Sequence, residues 1–376
     1  MEELMAKFGE VVENPYARLA EWKAATGKKV IGGLPLFTPE ELIHAAGMLP
    51  VVLLEADEPI TRGQSLIQEF FCAFARSNLD VALKGKLDFL DGIVVPDTCH
   101  TIRGMAGILK RNLPNTFHEF LALPAVLELP ASRAFLIKEL RRLRAGLAEL
   151  AGREISDDAL RKSIEVFNRN RALLRRVYDL RRAKPGALRA RDAVTVVVSG
   201  MLMPKEEHSL LLEALIASLE QTEPPADGRV KLLVSGSLCE APEADLLNLI
   251  EDVGAVVVDD DLYTGSRYFV TDARTDGDPL EALCDKYLGM VAPCPTRFNP
   301  NQDWAQYLMD MARRSGARGV INIIVKFCEP HCFYYPHLAQ ELGRAGMPEF
   351  LMETEHEFLA LGQMKTRLQA FIETIR

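Results

Sequence analysis

No stretch of this 376-residue chain is apolar for the roughly 18 residues that a bilayer-crossing helix needs. The longest apolar candidates, Ala193 to Met203 and Gly319 to Val325, are interrupted by Ser, Thr, Gly or Asn and read as buried strands. The start, MEELMAKFGEVVEN, has neither the basic flank nor the apolar run of a secretion signal, so a cytoplasmic protein away from any membrane is expected. Also missing are a P-loop, a GxGxxG after a strand and a GxSxG elbow, which excludes ATP binding, dinucleotide binding and serine hydrolysis by those devices. Positive charge is in deficit, with 44 Lys and Arg against 53 Asp and Glu, and a net charge of −9 argues against a nucleic-acid binder. Disulfides are not expected either. Seven cysteines is an odd number, and in a reducing compartment they are thiols, metal ligands or small buried hydrophobes.

What is present is the composition of a soluble globular protein, 48% hydrophobic and 26% charged, long enough for two domains with their own cores. Charge is unevenly spread: Arg133 to Asp192 carries 17 Lys and Arg against 8 Asp and Glu, either a solvated face or a docking or phosphate-binding surface. Short apolar strands alternate with helical stretches. Lys29 to Pro35, Val51 to Glu55 and Gly92 to Pro96 read as strands, and Gln64 to Lys84 reads as a helix. Thr38-Pro39-Glu40-Glu41 reads as a helix start, with Thr38 the N-cap and Glu41 closing a capping box. A long helical segment over about 130–182 is divided by Gly152 and Ser156-Asp157-Asp158. After Lys184-Pro185-Gly186 the pattern restarts, with strands at Val194 to Ser199, Val230 to Ser235, Ala255 to Asp259, Gly319 to Lys326 and Phe350 to Met352, then a last helix from Gln363. The expected architecture is α/β: two doubly wound parallel sheets, in domains of 1–190 and 191–376, with the Arg-rich helical segment inserted in the first.

The cysteines carry the chemistry. Cys99, Cys239 and Cys328 each follow a strand, and in open α/β sheets ligands bind beyond the carboxyl ends of the strands. Thiolates gathered there suit an iron–sulfur cluster or zinc, since soft sulfur selects both. Cys328-x-x-His331-Cys332 keeps zinc open, although no second CxxC completes a zinc site. Cys72 lies within a helical pattern, and Cys284 reads as a buried small hydrophobe. Cys239, Cys294 and Cys332 stay undecided between ligand and core. His100 and His331 beside candidate ligands, and Glu55 at a strand end, are the candidate proton donors and acceptors.

The run Gly33-Leu34-Pro35-Leu36-Phe37-Thr38-Pro39-Glu40-Glu41-Leu42 continuing to Gly47-Met48-Leu49-Pro50 resembles the N-terminal signature of the 2-hydroxyacyl-CoA dehydratase superfamily. That superfamily also holds the B and C type subunits of ATP-dependent benzoyl-CoA reductase. Phe71-Cys72 with Ala75-Arg76-Ser77, Pro96-Asp97-Thr98-Cys99 with Ile102-Arg103, Lys326-Phe327-Cys328-Glu329-Pro330-His331 and the closing Gly362-Gln363-x-Lys365-Thr366-Arg367 follow in the family order. The resemblance implies two flavodoxin-like domains and a [4Fe–4S] cluster on Cys72, Cys99 and Cys328, with an acyl-CoA thioester near an open iron. It further implies a heterodimer with a homologous larger subunit that holds a second cluster, and an ATP-hydrolysing iron–sulfur activator fed by ferredoxin or flavodoxin.

Within the superfamily, Met48-Leu49-Pro50, the Pro-Asp-Thr-Cys setting and the length resemble the smaller, C-type subunit of benzoyl-CoA reductase. Dehydratases often carry a serine in the first strand-to-helix turn, and here the turn reads Pro35-Leu36-Phe37-Thr38. The expected activity is therefore reductive dearomatisation of benzoyl-CoA or a similar substrate. Elimination of water from a 2-hydroxyacyl-CoA is the alternative. A double-cubane relative and a non-catalytic metal-binding module are further ones.

Overall fold

The computed structural model describes residues 1–226, 228–237, 244–356 and 361–376; Cys239 lies outside them. Two four-stranded sheets, each fully parallel, organise the chain. The first contains β1 (Val30–Gly33), β2 (Leu49–Val52), β3 (Gly92–Pro96) and β4 (Phe117–Leu121), in the order β2-β1-β3-β4. The second contains β5 (Val230–Gly236), β6 (Ala255–Asp261), β7 (Gly319–Val325) and β8 (Glu349–Thr354), in the order β6-β5-β7-β8. The two sheets share one topology, the flavodoxin-like arrangement in which the winding reverses between the first and third strands of each. Helices cover both faces, so the central strands are apolar and buried along their length, while the edge strands β4 and β8 are only half-buried.

Several local expectations are corrected. Val194 to Ser199 is not a strand: Ala190–Leu202 is a helix, buried from Ala193 to Leu202 apart from part of Thr195. An apolar run buried on every side carries no period by which strand and helix can be told apart, and packing here overrides the β-propensity of its valines. This helix packs against the N-terminal helix Glu2–Glu13 and against both β2 and β6. Residues 66–72 are not helical either; the helix runs over Ala73–Leu83 and Cys72 is its N-cap. The strand β4 escaped the sequence reading because Phe-His-Glu-Phe-Leu alternates on a half-exposed edge.

The capping box at Thr38 does not form. The Thr38 hydroxyl turns back on the preceding loop, accepting from Leu34 N at 3.0 Å and donating to Leu34 O at 2.9 Å, and the helix Glu40–Ala45 starts behind Pro39. Glu40 and Glu41 are instead buried partners of the Asp157–Ala183 helix and of the second half. Arg171 and Lys286 donate to Glu41 Oε1 at 2.9 and 2.7 Å, and Tyr268 donates to Glu40 at 2.9 Å beside Lys205 at 3.3 Å.

The Arg-rich segment is two helices, Pro130–Ala151 and Asp157–Ala183, separated at Gly152 and capped by Ser156 as the sequence implied. The arginines of its second helix are engaged within the chain. Arg169 pairs with Glu213, Arg171 with Glu41 and Asp272, Arg175 with Asp272, and Arg176 with Glu220. The second helix thus acts as a clamp between the halves. Among the described residues no helix is long and apolar enough to cross a membrane.

Candidate active site

The switch points of the two sheets face one another across a single cavity. Leu34 to Phe37 follow β1, Thr98 and Cys99 follow β3, Ser237 follows β5, and Cys328 follows β7; all line it, together with Glu55, Cys72, Phe74, Ile102, Tyr263, Cys294, Thr296 and His331. The chain thereby brings Cys72, Cys99 and Cys328 to one place from three distant segments, and adds Cys294. Cys284, by contrast, is 0% exposed and does not line the cavity, and Cys332 is exposed.

Cys72, Cys99 and Cys328 are each the N-cap of a helix: Ala73–Leu83, His100–Asn112 and Glu329–Arg344. Three helix N-termini, each with unpaired N–H groups and a partial positive charge, therefore point at the same space. None of the sulfurs makes a formal capping hydrogen bond, yet the first-turn N–H groups of Ala75, Thr101, Ile102 and His331 favour their ionised forms. Desolvation outweighs this help. It pushes all three thiols up, Cys328 to about 12, and the neighbouring sulfurs raise Cys72 and Cys328 further. Three thiols that penalise one another's ionisation in an apolar pocket are proton-bearing alone and become thiolates only around a cationic centre.

Among the described residues no group of three His, Cys, Asp or Glu side chains could hold a single metal ion. A four-iron cluster makes a different demand, since each thiolate binds its own iron and the sulfurs stand farther apart. A soft, all-sulfur donor set in an apolar cradle fits such a cluster.

The backbone around the cavity is strained where it turns. Leu36, Phe37 and Phe327 have φ of 59°, 58° and 63°, the only positive values outside glycine among the described residues. Left-handed conformation is unfavourable for residues with a Cβ, and such outliers cluster at functional sites. Gly236, at φ 137°, ends β5 where a Cβ would strike the backbone carbonyl of Ile323 in β7. Glycine lets the two strands approach there, immediately before Ser237, whose hydroxyl accepts from Val325 N at 2.9 Å.

Three further side chains, His356, Tyr263 and Arg297, were not singled out from the sequence and complete the site's electrostatics. His356 hydrogen-bonds Glu55 Oε1 through Nδ1 and reaches Glu58 O at 2.7 Å through Nε2. Glu55 is 5% exposed, and its Oε2 is buried without a partner. Desolvation raises the Glu55 pKa, against the pull of His356 and Arg76. Tyr263 lies between Cys294, with its hydroxyl 3.6 Å from Sγ, and His331 Nε2 at 3.4 Å. His331 Nδ1 is 3.2 Å from Cys328 Sγ. Desolvation, with Arg267 beside it, holds His331 down to about 3, so it is a neutral hydrogen-bonding ring and not a proton-rich acid at neutral pH. Arg297 lies beside the cavity, in the open groove that Cys99 and Thr296 also line, donating to Thr296 O at 2.7 Å and to Asp97 O, with Nε buried and unpartnered. His100 stands outside, exposed in an open groove with Arg103 and Glu329 on the far side of Cys99. The one sequence cue to Arg297 was its place three residues after Cys294; His356 and Tyr263 gave none.

Two flavodoxin-like halves presenting cysteine-capped helices to a shared cavity define a class of thiol-lined, two-domain α/β proteins. The chain belongs to the family described as 2-hydroxyglutaryl-CoA dehydratase, D-component, whose model matches residues 35–375. This is a family of acyl-CoA reductases and dehydratases. The chain is 32% identical to the C-type subunit of benzoyl-CoA reductase from Thauera aromatica, over 87% of its own length and 86% of that protein's. It is 32% identical to the beta subunit of (R)-2-hydroxyglutaryl-CoA dehydratase from Acidaminococcus fermentans, over 99% of both chains. It is 28% identical to the (R)-phenyllactyl-CoA dehydratase beta subunit of Clostridium sporogenes, over 98% of this chain and 97% of that one.

Proposed function

We propose that the chain is the iron–sulfur subunit of a low-potential acyl-CoA reductase, with Cys72, Cys99 and Cys328 holding a [4Fe–4S] cluster. The observation that carries this is the convergence of the three thiols, each at a helix N-terminus, on one apolar cavity between the two switch points. When bound, the cluster supplies single electrons at low potential to an acyl-CoA thioester such as benzoyl-CoA.

The chain's own groups do the rest. Leu34, Leu36, Phe37, Phe74, Ile102 and Val325 make the walls apolar and exclude water, which would otherwise quench a strongly reducing centre. Glu55, whose proton affinity burial raises, has one oxygen without a partner and the other held by His356, and serves as the acid. Because Thr38 spends its hydroxyl on Leu34, the turn offers no hydroxyl to a thioester carbonyl, and this supports the reductase. The partners in this reading are a larger sister subunit with a second cluster and an ATP-hydrolysing iron–sulfur activator served by ferredoxin or flavodoxin. Elimination of water from a 2-hydroxyacyl-CoA is the second reading, favoured by the dehydratase beta subunits among the relatives.

The test is anaerobic: iron and sulfide per chain, then turnover of the complete complex on benzoyl-CoA and on a 2-hydroxyacyl-CoA, with ATP counted per product. ATP consumed in every turnover on benzoyl-CoA supports the reductase. Turnover of the hydroxyacyl substrate after catalytic priming alone replaces it with the dehydratase, and stoichiometric zinc without iron overturns both.

A further inference from the structure

A second cavity, of about 50 Å³, lies against the Leu34–Phe37 turn and shares only Leu34, Leu36 and Phe37 with the thiol-lined one. No cysteine reaches it. Its polar wall is made by Arg171, Lys205 and Lys286, with Glu40, Tyr268 and Thr271. Lys205 is 3% exposed and Arg171 5%, so these cations are held away from water.

Their charges do not balance. Arg171 and Lys286 share Glu41 Oε1, at 2.9 and 2.7 Å, and Lys205 meets Glu40 Oε1 at 3.3 Å. Three cations therefore face two buried carboxylates. The other charges close by cancel in pairs. Arg267, also in the wall, holds Asp261 at 2.8 Å, and Arg175 holds the exposed Asp272 that touches Arg171 as well. One positive charge is left in surplus where desolvation makes it costly. Burial accordingly lowers the pKa of both lysines, and for Lys286 the next cause is Arg171.

Donors are also left over. Among the described residues Lys286 has one acceptor, Glu41 Oε1, which leaves two ammonium N–H groups to give. The Thr271 hydroxyl accepts from Val291 N at 3.1 Å and keeps its own proton. Leu36, Phe37, Val52, Phe167 and Met290 make the rest of the wall apolar. Several waters fit the volume, but water leaves the surplus charge where it is.

We infer that this cavity binds a small monocarboxylate, of the size of acetate or propionate, through Lys286 and Thr271 in the field of Arg171 and Lys205. A single negative charge cancels the surplus, whereas sulfate would overshoot it. The apolar wall suits a short alkyl stub as it does not suit a bare halide. Glu40 follows β1, Arg171 stands on the clamping helix Asp157–Ala183, and Lys286 stands on the helix Pro279–Leu288. A carboxylate held among them is a ligand of the assembled fold and not of the unfolded chain, so it stabilises the clamp around the turn as its concentration rises. The site does not depend on what the thiols hold.

The full-length chain is dialysed against carbon-14 acetate, with chloride keeping the ionic strength constant, and the bound label is counted while thermal unfolding is followed in parallel. Binding should saturate in the millimolar range at a single acetate per chain, and propionate but not sulfate should displace it. The unfolding midpoint should rise to a plateau over the same range. Lys286→Met should weaken binding about tenfold or more, as loss of a charged hydrogen bond does. Glu40→Gln enlarges the surplus and should tighten binding several-fold. Circular dichroism checks the fold of each variant, and if Lys286→Met does not fold, the wild type and Glu40→Gln decide. Absence of saturable acetate binding in the wild type, displacement by sulfate as ready as by propionate, or equal affinity in the wild type and Glu40→Gln overturns the site.

Discussion

The buried carboxylate of Glu41 provides the sharpest test of how the two halves are held around the cavity. It is fully buried, accepts from Arg171 at 2.9 Å and from Lys286 at 2.7 Å through the same oxygen, and leaves Oε2 without a partner. Desolvation alone would raise its pKa, but Lys286 and then Arg171 overcome it and hold the carboxyl at about 2, below the usual 4.5. At about 1.4 kcal/mol for each tenfold change in affinity for the proton, that fall is worth about 3 kcal/mol. Removing one partner of a buried pair independently costs about 3–5 kcal/mol, because the other charge is left uncompensated. Glu41→Gln should therefore lose about 3 kcal/mol at pH 7, read as a lower urea midpoint with unchanged slope.

The sign of the pH dependence is fixed as well. The folded state binds this proton less tightly than the unfolded chain, so the contribution is complete above pH 4.5, drains as the pH falls toward 2, and vanishes below. The gap between wild type and Glu41→Gln should close over that window. Replacing Arg171 and Lys286 by Met as well should restore part of the loss, since no charge is then stranded. A cost below about 1 kcal/mol at pH 7, or a gap that stays constant down to pH 3, would refute the clamp.

Cys328→Ala and Cys72→Ala should abolish iron uptake in anaerobic reconstitution, whereas Cys284→Ala should keep full iron and cost about 1 kcal/mol in a urea melt for the small void it leaves. Glu55→Gln should keep its iron and lower turnover of the complex about 100-fold or more, because the proton donor is gone and the shape is not; unchanged turnover would remove Glu55 from the chemistry. Gly236→Ala should fail to accumulate as soluble protein or melt well below wild type, since the added Cβ strikes a β7 carbonyl.

The sheets were legible because a parallel strand buried on both faces is a nearly continuous apolar run, as in GIVVP and GVINIIV. The same rule misled at Ala190–Leu202, where the apolar run is a helix wrapped by its neighbours. Local chemistry also misled at Thr38 to Glu41. The residues of a capping box were all there, but Arg171 and Lys286, more than a hundred residues away, claim Glu41 for an ion pair. That competition has no local signature. The Arg-rich stretch suffered from the same blindness, because its partners Glu213, Glu220 and Asp272 are scattered along the chain.

Site residues were legible in proportion to their dependence on strand ends. Cys99 and Cys328 follow β3 and β7, so the rule that ligands collect at the carboxyl edge brought them forward without further help. Cys72 follows a long loop after β2 and was placed by the family signature alone. Cys294 sits in neither position. It reaches the cavity because Phe298, four residues on, pairs with Ala125 and Leu127 of the other half, a contact between loops that no periodicity encodes. A repeated β2-β1-β3-β4 winding can place two crevices mouth to mouth, and it predicts a shared site there. It cannot predict which loops are stitched across the seam. In this chain the stitched loop carries Cys294 into the cavity, with Arg297 three residues on, so part of the site's lining is decided by the least regular part of the fold.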